Sequence, residues 1–93
     1  MVTAVLLIKV DRGRVVEVAE SLAGIRGVSE VYSVAGRFDL VAMLRVREPE
    51  DMAELVTQEI VKVSGIRETE TLTAFRAYSR HDLEAAFALG LPE

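Results

Sequence analysis

The chain has 93 residues, a formal net charge of −4 and no cysteine. A chain of this length fits one domain, and the absence of cysteine excludes disulfides, thiolate metal sites and cysteine nucleophiles. Its lysines and arginines are scattered rather than clustered, which argues against direct binding of nucleic acid. Hydrophobic residues make up 51% of the chain, so we expect part of the apolar surface to be covered by another copy.

The sequence also bears on compartment and source. No apolar run approaches the roughly 18 residues of a membrane helix, and the run after Met1 lacks the basic leader and cleavage site of an export signal. We therefore expect a cytoplasmic protein without membrane contact. The chain contains no asparagine and one glutamine, Gln58, a depletion typical of heat-adapted proteins.

The first part of the chain predicts a strand followed by a helix. The apolar run Val2–Val10 predicts a strand that is covered on both faces. Asp11 is expected to cap the start of the helix, and Gly24 is expected to end it. The helix itself is indicated by apolar residues at helical spacing, namely Val15, Val18, Ala19, Leu22 and Ala23.

Two further strands are predicted over residues 28–35 and 38–46. The pair Gly36-Arg37 between them predicts a two-residue hairpin, since glycine supplies the positive φ that such a turn requires. Alternation along the second strand places Phe38 with its apolar even-numbered neighbours and Asp39 on the opposite face. That opposite face mixes apolar and charged residues, which suits a subunit interface with a polar site at its margin.

A second helix and a last strand complete the pattern. Pro49 suits the first helical position with acidic residues behind it, and Ser64-Gly65 ends the helix. Residues 66–76 are rich in threonine and predict a strand, and a short terminal helix is expected over residues 79–90. The second helix is indicated by an apolar stripe formed by Met52, Leu55, Val56, Ile60 and Val63.

An internal repeat supports this order of elements. Residues 27–31, Gly-Val-Ser-Glu-Val, match residues 65–69, Gly-Ile-Arg-Glu-Thr, and each stretch follows a helix. Two βαβ halves in tandem predict an α+β fold: a ferredoxin-like βαββαβ plait with a four-stranded antiparallel sheet, both helices on one face and a short C-terminal helix. We treat residues 1–93 as this single domain. The other face of the sheet is left bare for an oligomer contact.

Asp39 is the residue that most needs an explanation. A carboxylate among apolar strand residues is costly to desolvate unless a cation or several donors meet it. In a structural interpretation, Gly36 shapes a hairpin, Arg37 is exposed, and the turn's own amides satisfy Asp39. In a functional interpretation, the turn and Arg37 hold the carboxylate of a free amino acid while Asp39 holds its ammonium group. Thr69 and Thr71 would add hydroxyls to that pocket, or serve strand propensity alone.

The residues give no positive sign of catalysis. The only histidine, His81, has no metal-ligating neighbour and is assigned no role. No nucleophile elbow, phosphate loop or dinucleotide-binding turn is present, and Glu68 and Glu70 fit a solvated strand face better than an acid–base pair. We therefore expect no enzyme, no cofactor and no metal site.

Two stretches of the chain resemble a known family. Residues 30–40, Glu-Val-Tyr-Ser-Val-Ala-Gly-Arg-Phe-Asp-Leu, and residues 65–71, Gly-Ile-Arg-Glu-Thr-Glu-Thr, resemble the effector-binding (RAM) domain of the leucine-responsive/asparagine-regulator (Lrp/AsnC) transcription factors. The resemblance covers about residues 2–76 and implies a plait that dimerises through its sheets and assembles into rings, with amino acids bound between dimers. The residues that would line such a site are Gly36, Arg37, Phe38, Asp39, Thr69 and Thr71.

Two departures from the family pattern bear on function. Ala35 stands where the family often has threonine or serine, which removes a hydroxyl from the site, and no helix-turn-helix precedes the first strand, which is typical of a stand-alone version. The resemblance implies an amino-acid-sensing and oligomerisation module that modulates transcriptional regulation of amino-acid metabolism without binding DNA itself. Its expected partners are an amino acid effector, further copies of the chain and a full-length Lrp/AsnC regulator.

Two other functions are compatible with the βαββαβ order. An ACT-type regulatory domain would bind an amino acid near Asp11-Arg12-Gly13, which loosely matches the acidic and glycine positions of its first loop, although the expected proline is missing. A small cofactor-free ferredoxin-like enzyme would need a histidine, tyrosine or tryptophan set inside a deep cavity. For that chemistry this chain offers only Tyr32, Tyr78 and His81.

Overall fold

A four-stranded antiparallel sheet with two helices on one face organises residues 1–80, the part of the chain that this computed structural model describes. The elements are β1 (Val2–Val10), α1 (Val15–Ala23), β2 (Val28–Ser33), β3 (Leu40–Val46), α2 (Pro49–Glu54) and β4 (Ile66–Thr73). The strand order β2-β3-β1-β4, with all neighbours antiparallel, confirms the predicted ferredoxin-like plait. His81 and most of the predicted terminal helix lie outside the described residues.

The core lies between the sheet and the two helices. Alternate residues of β1 and β3 point toward the helices and are buried, while the residues between them on the opposite face stay partly exposed. The prediction that β1 is covered on both faces is therefore wrong within one copy of the chain, because both helices lie on the same side of the sheet. No helix within residues 1–80 is long and apolar enough to span a bilayer. The largest fully buried side chains are those of Leu6, Ile8, Val18, Leu22, Leu40 and Leu44.

The helix starts are set by different means. The prediction that Asp11 caps α1 is wrong: Arg14 is the N-cap and its side chain makes no capping bond, while the Asp11 main-chain carbonyl accepts from the Arg14 N–H at 3.1 Å. Gly24 follows the last residue of α1 as predicted. Pro49 opens α2, where Glu48 and Asp51 form a capping box and the Glu48 N–H donates to Asp51 Oδ2 at 3.2 Å.

The second helix changes its winding after one and a half turns. Beyond Glu54 it widens into a π-helical turn over Leu55–Glu59 and ends as a 3-10 turn over Ile60–Lys62. The Ile60 N–H donates to the Leu55 carbonyl, five residues back. This wider winding brings Leu55 and Ile60 onto one face, and both are buried.

The connection between β2 and β3 is longer than predicted. Pairing ends at Ser33 and Leu40, so residues 34–39 form the connection, closed by one bond from the Val34 N–H to the Asp39 carbonyl at 3.0 Å. The predicted two-residue hairpin at Gly36-Arg37 is therefore wrong. Its physical reason lies in β1, because the Asp39 N–H donates to the Ile8 carbonyl at 2.9 Å and holds this end of the connection against β1.

The internal repeat is confirmed in three dimensions. Gly27 and Gly65 have φ values of +100° and +96°, and each precedes an edge strand that shifts register two residues later. Their carbonyls accept equivalent bonds, from the Arg45 N–H to Gly27 and from the Asp11 N–H to Gly65, both at 2.8 Å. In both βαβ halves, the chain therefore leads into the edge strand through a glycine of positive φ whose carbonyl accepts an equivalent hydrogen bond.

We predict that Gly65→Ala destabilises the domain more than Gly13→Ala. Both glycines have positive φ, but a Cβ at Gly65 would lie 2.8 Å from Val18 Cγ2, whereas a Cβ at Gly13 meets no atom within 4 Å. Strain alone should cost Gly13→Ala about 1–2 kcal/mol, and strain with overpacking should cost Gly65→Ala about 2–5 kcal/mol. Urea unfolding at one protein concentration measures both. Equal losses would contradict the packing contribution.

Candidate functional site

The loop at residues 34–39 carries most of the predicted site residues, and Asp39 is fixed within it. Asp39 Oδ2 accepts a hydrogen bond from the Val10 N–H at 2.9 Å. The pairing of β1 with β3 ends at Ile8 and Leu40, so the Val10 N–H lies beyond the paired part of β3. The Asp39 carboxylate takes the place of the main-chain acceptor that a longer β3 would supply. The predicted bonding of Asp39 to the turn's own amides is therefore wrong, since its side-chain donor comes from β1. Within residues 1–80, the other carboxylate oxygen has no hydrogen-bond partner.

The tip of the loop is exposed. Gly36 has φ +138°, and nothing lies within 4 Å of where its Cβ would be. Arg37 is exposed and forms no ion pair or hydrogen bond with another residue of the described chain. The loop therefore presents a free guanidinium group one residue before Phe38 and two before Asp39.

Lys9 of β1 contacts both Phe38 of the loop and Glu68 of the edge strand β4. The ammonium group of Lys9 lies 5.7 Å from the centroid of the Phe38 ring, and 3.5 Å from Glu68 Oε2 on β4. Phe38 does not join the buried row that begins at Leu40. The predicted alternation fails at Phe38 because β3 starts only at Leu40.

Thr69 and Thr71 lie on β4, away from this loop. They pair with Ile8 and Leu6, which places them on the side of the sheet that carries the helices, and both are exposed. Leu40 and Thr69 both pair with Ile8 from opposite sides, so two strand spacings, about 10 Å, separate their Cα atoms. One copy of the chain does not bring the threonines and the loop together into one pocket.

The sheet face without helices is apolar on its two inner strands, has an ion pair at each of two opposite corners, and carries Glu70 on the edge strand β4 beside Leu7. At one corner Arg45 Nη1 lies 2.8 Å from Glu30 Oε1, and at the other Lys9 is paired with Glu68. The hydrogen bond from Arg45 lowers the pKa of Glu30 below its ordinary value, and the Tyr32 hydroxyl donates to the same carboxylate at 3.3 Å. The apolar residues of this face include Val5, Leu7, Tyr32, Val41, Met43 and Leu72.

These corner pairs were not foreseen from the sequence, although the repeat contained a signal for them. Glu30 and Glu68 occupy equivalent positions in the two matched stretches. Each faces a cation on the adjacent inner strand, Arg45 on β3 and Lys9 on β1. Matching glutamates on two edge strands therefore predict two related ion pairs once the topology is known.

Comparison with known proteins identifies the family at the level of sequence. The model of the Lrp/AsnC ligand-binding domain matches residues 3–83. An HTH-type transcriptional regulator of Pyrococcus horikoshii, itself uncharacterized, is 36% identical over 76 residues, which cover 78% of this chain and 51% of the regulator. The chain thus spans about half the length of this curated relative.

Solved structures agree with that match. A protein of Thermus thermophilus is 46% identical with a TM-score of 0.80, and the alignment covers 86% of this chain and 100% of the Thermus chain. A transcriptional regulator of Neisseria meningitidis, solved as a complex with L-methionine, shares the fold with a TM-score of 0.75 at 11% identity, over 85% of this chain and 53% of its own. The sequence match and the shared plait together confirm the resemblance: the chain belongs to the Lrp/AsnC ligand-binding domain family.

Proposed function

We propose that this domain senses a free amino acid and transmits its binding through the assembly of several copies. The observation that carries the proposal is Asp39, whose carboxylate accepts a hydrogen bond from the Val10 N–H at one oxygen and has no partner within residues 1–80 at the other. Arg37, in the same loop, has no ion-pair or hydrogen-bond partner among the described residues. An ammonium group at Asp39 and a carboxylate at Arg37 and the Gly36-Arg37 main chain would satisfy both charges of a zwitterion with charge-assisted bonds.

The site is proposed to lie between copies rather than within one. The loop and the threonines of β4 are separated by β1. The loop tip at residues 34–37 and both threonines are exposed, so a loop from one copy and Thr69 and Thr71 from another could complete a pocket. Residues Gly36, Arg37, Phe38 and Asp39 would come from one side of that contact. The Neisseria regulator, which shares this fold, was solved with an amino acid bound, and this supports the choice of ligand class.

Assembly is proposed to begin at the open sheet face. Its apolar residues are partly exposed on the two inner strands and more exposed on the edge strands, where Tyr32 is 51% and Leu72 46% accessible to solvent. Burial of such a patch against a second copy is favourable, and the charged corners would fix how the two sheets are aligned. Contacts between such dimers would then form a ring and create the amino acid sites.

The domain is proposed to act on transcription without touching DNA. The relatives that it matches are transcriptional regulators, and about half of the curated relative's length lies outside the matched part. The net charge of −4 and the absence of a basic stripe argue against phosphate binding by this domain itself. We infer that it influences a full-length regulator by joining the regulator's assembly or by competing for the effector.

We predict that the protein is a dimer or a larger even-numbered oligomer at micromolar concentration. Met43→Lys should raise the dissociation constant of the sheet contact about 10- to 1,000-fold, because it places an unpaired charge in an apolar interface. Val16→Lys is the matched control, since Val16 is 70% exposed on α1, away from the open face. Light scattering over a dilution series measures both variants. A monomeric wild type, or equal effects of the two substitutions, would contradict the proposed interface.

We predict that Asp39→Asn weakens amino acid binding about 10- to 100-fold, because the negative charge that binds the ammonium group is removed. The domain should stay folded, because asparagine keeps an oxygen acceptor for the Val10 N–H. Thr71→Val should weaken binding about 2- to 12-fold through one lost hydrogen bond. Thr73→Val is the control on the same face of β4. Calorimetry with the twenty amino acids identifies the ligand first. A ligand held equally well by wild type and Asp39→Asn would show that the pocket lies elsewhere.

A further inference from the structure

We propose that the domain has a second ligand site, a cleft of about 550 Å³ at the end of the sheet where β3 leads into α2, which binds a small zwitterion carrying a carboxylate and a protonated amine. This end of β3 is about 20 Å from Asp39, as the strand rise over residues 39–46 indicates. The cleft is therefore distinct from the loop of the proposed function. Its lining residues are Arg26, Gly27, Arg45, Val46, Arg47, Asp51, Glu54, Leu55 and Glu59.

One wall of the cleft is positive. Arg26 belongs to the segment before β2, and Arg45 and Arg47 lie at the end of β3. Arg45 is already paired with Glu30 on the open face. Within residues 1–80, Arg26 and Arg47 form no ion pair or hydrogen bond through their side chains, so two guanidinium groups remain available for an anion.

The opposite wall is negative and belongs to the second helix. Asp51 accepts the capping bond from Glu48, whereas the Glu54 side chain has no ion pair or hydrogen bond within the described residues, and Glu59 is paired only loosely with Lys62 at 3.9 Å. Among residues 1–80, no ion pair joins the arginines of one wall to the carboxylates of the other. Two walls of opposite charge thus line one cleft without neutralising each other across it.

The floor of the cleft is apolar and tightly packed. Leu55 is 4% exposed, and Gly27 approaches it so closely that a Cβ at Gly27 would lie 2.9 Å from Leu55 Cδ2 and 3.3 Å from Val46 Cγ1. The glycine backbone, with φ +100°, therefore lies directly against the helix. This leaves a small apolar surface between the two charged walls.

The π-helical turn provides a second, independent observation. It spans Leu55–Glu59, so the floor residue Leu55 and the carboxylate of Glu59 both belong to it. Single π turns within helices occur frequently at functional sites. Here the turn places an apolar side chain in the floor and an acidic one in the wall.

The arrangement of charges selects the ligand class. A dicarboxylate would meet the acidic wall, and a diamine would meet the arginines, so either would face like charge at one end. A zwitterion can place its carboxylate at Arg26 and Arg47, its ammonium group at Glu54 and Glu59, and its aliphatic part on Leu55. A cleft of this volume lies within the usual range of small-molecule sites.

The test is a methyl NMR titration that follows Val46 and Leu55. The zwitterionic probes are L-leucine, with adjacent charges, and 5-aminopentanoate, with charges separated by four methylene groups. Pentanoate and pentylamine are the singly charged controls. We expect saturable shifts of both residues with at least one zwitterion, and at least about ten-fold weaker binding of the singly charged compounds.

The variant Arg26→Gln/Arg47→Gln should weaken binding of that zwitterion at least about ten-fold. Arg12→Gln is the control, because Arg12 is exposed at the other end of β1 and should leave the affinity within about two-fold. The absence of saturable shifts at Val46 and Leu55 up to about 10 mM of either zwitterion, or equal affinity of the double variant and the wild type, would overturn the second site. Shifts confined to Val34 and Leu40, whose methyl groups lie at the two ends of the loop, would assign the probe to the loop of the proposed function and would also overturn the second site.

Discussion

Two helices cover only one face of the four-stranded sheet, and the rest of the structure depends on this constraint. On the covered face, Leu6 and Ile8 of β1 pack with Leu40 and Leu44 of β3 under both helices. On the other face, Val41 and Met43 have no helix from residues 1–80 packed over them. The same strands therefore build a core on one side and a surface suited to self-association on the other.

Asp39, the residue before β3, has a structural role and a proposed role in ligand recognition. Its main-chain N–H and one carboxylate oxygen both bond to β1, at Ile8 and Val10. These two bonds orient the carboxylate and leave its other oxygen without a partner among the described residues. A side chain held in this way loses little conformational freedom on binding a ligand, which is why we assign it the main role in recognising an ammonium group.

The sequence predicted the features that depend on local spacing. The bounds of β1, both helix positions and the repeat follow from apolar periodicity and from glycines that precede strands, and they agree with the structure, although β1 is covered on one face and not on two. The hairpin and the Asp11 cap were predicted wrongly because their outcome depends on distant partners. Asp39 bonds to Val10, 29 residues away in the chain, and the Asp11 N–H bonds to Gly65. The cleft beside Leu55 also joins distant segments, so no local motif indicated it.

Whether the amino acid site is shared between copies can be tested by mixing two variants that each bind the effector weakly. Asp39→Asn alters the loop, and Thr69→Val/Thr71→Val alters β4, so each assembly alone should bind the effector weakly. If every site combines a loop and a strand from different copies, random mixing in equal amounts restores about one quarter of the sites to wild-type affinity. Calorimetry of the mixed assemblies counts those sites. A mixture that regains no tight sites, although mass analysis shows that the copies have exchanged, would contradict a site shared between copies.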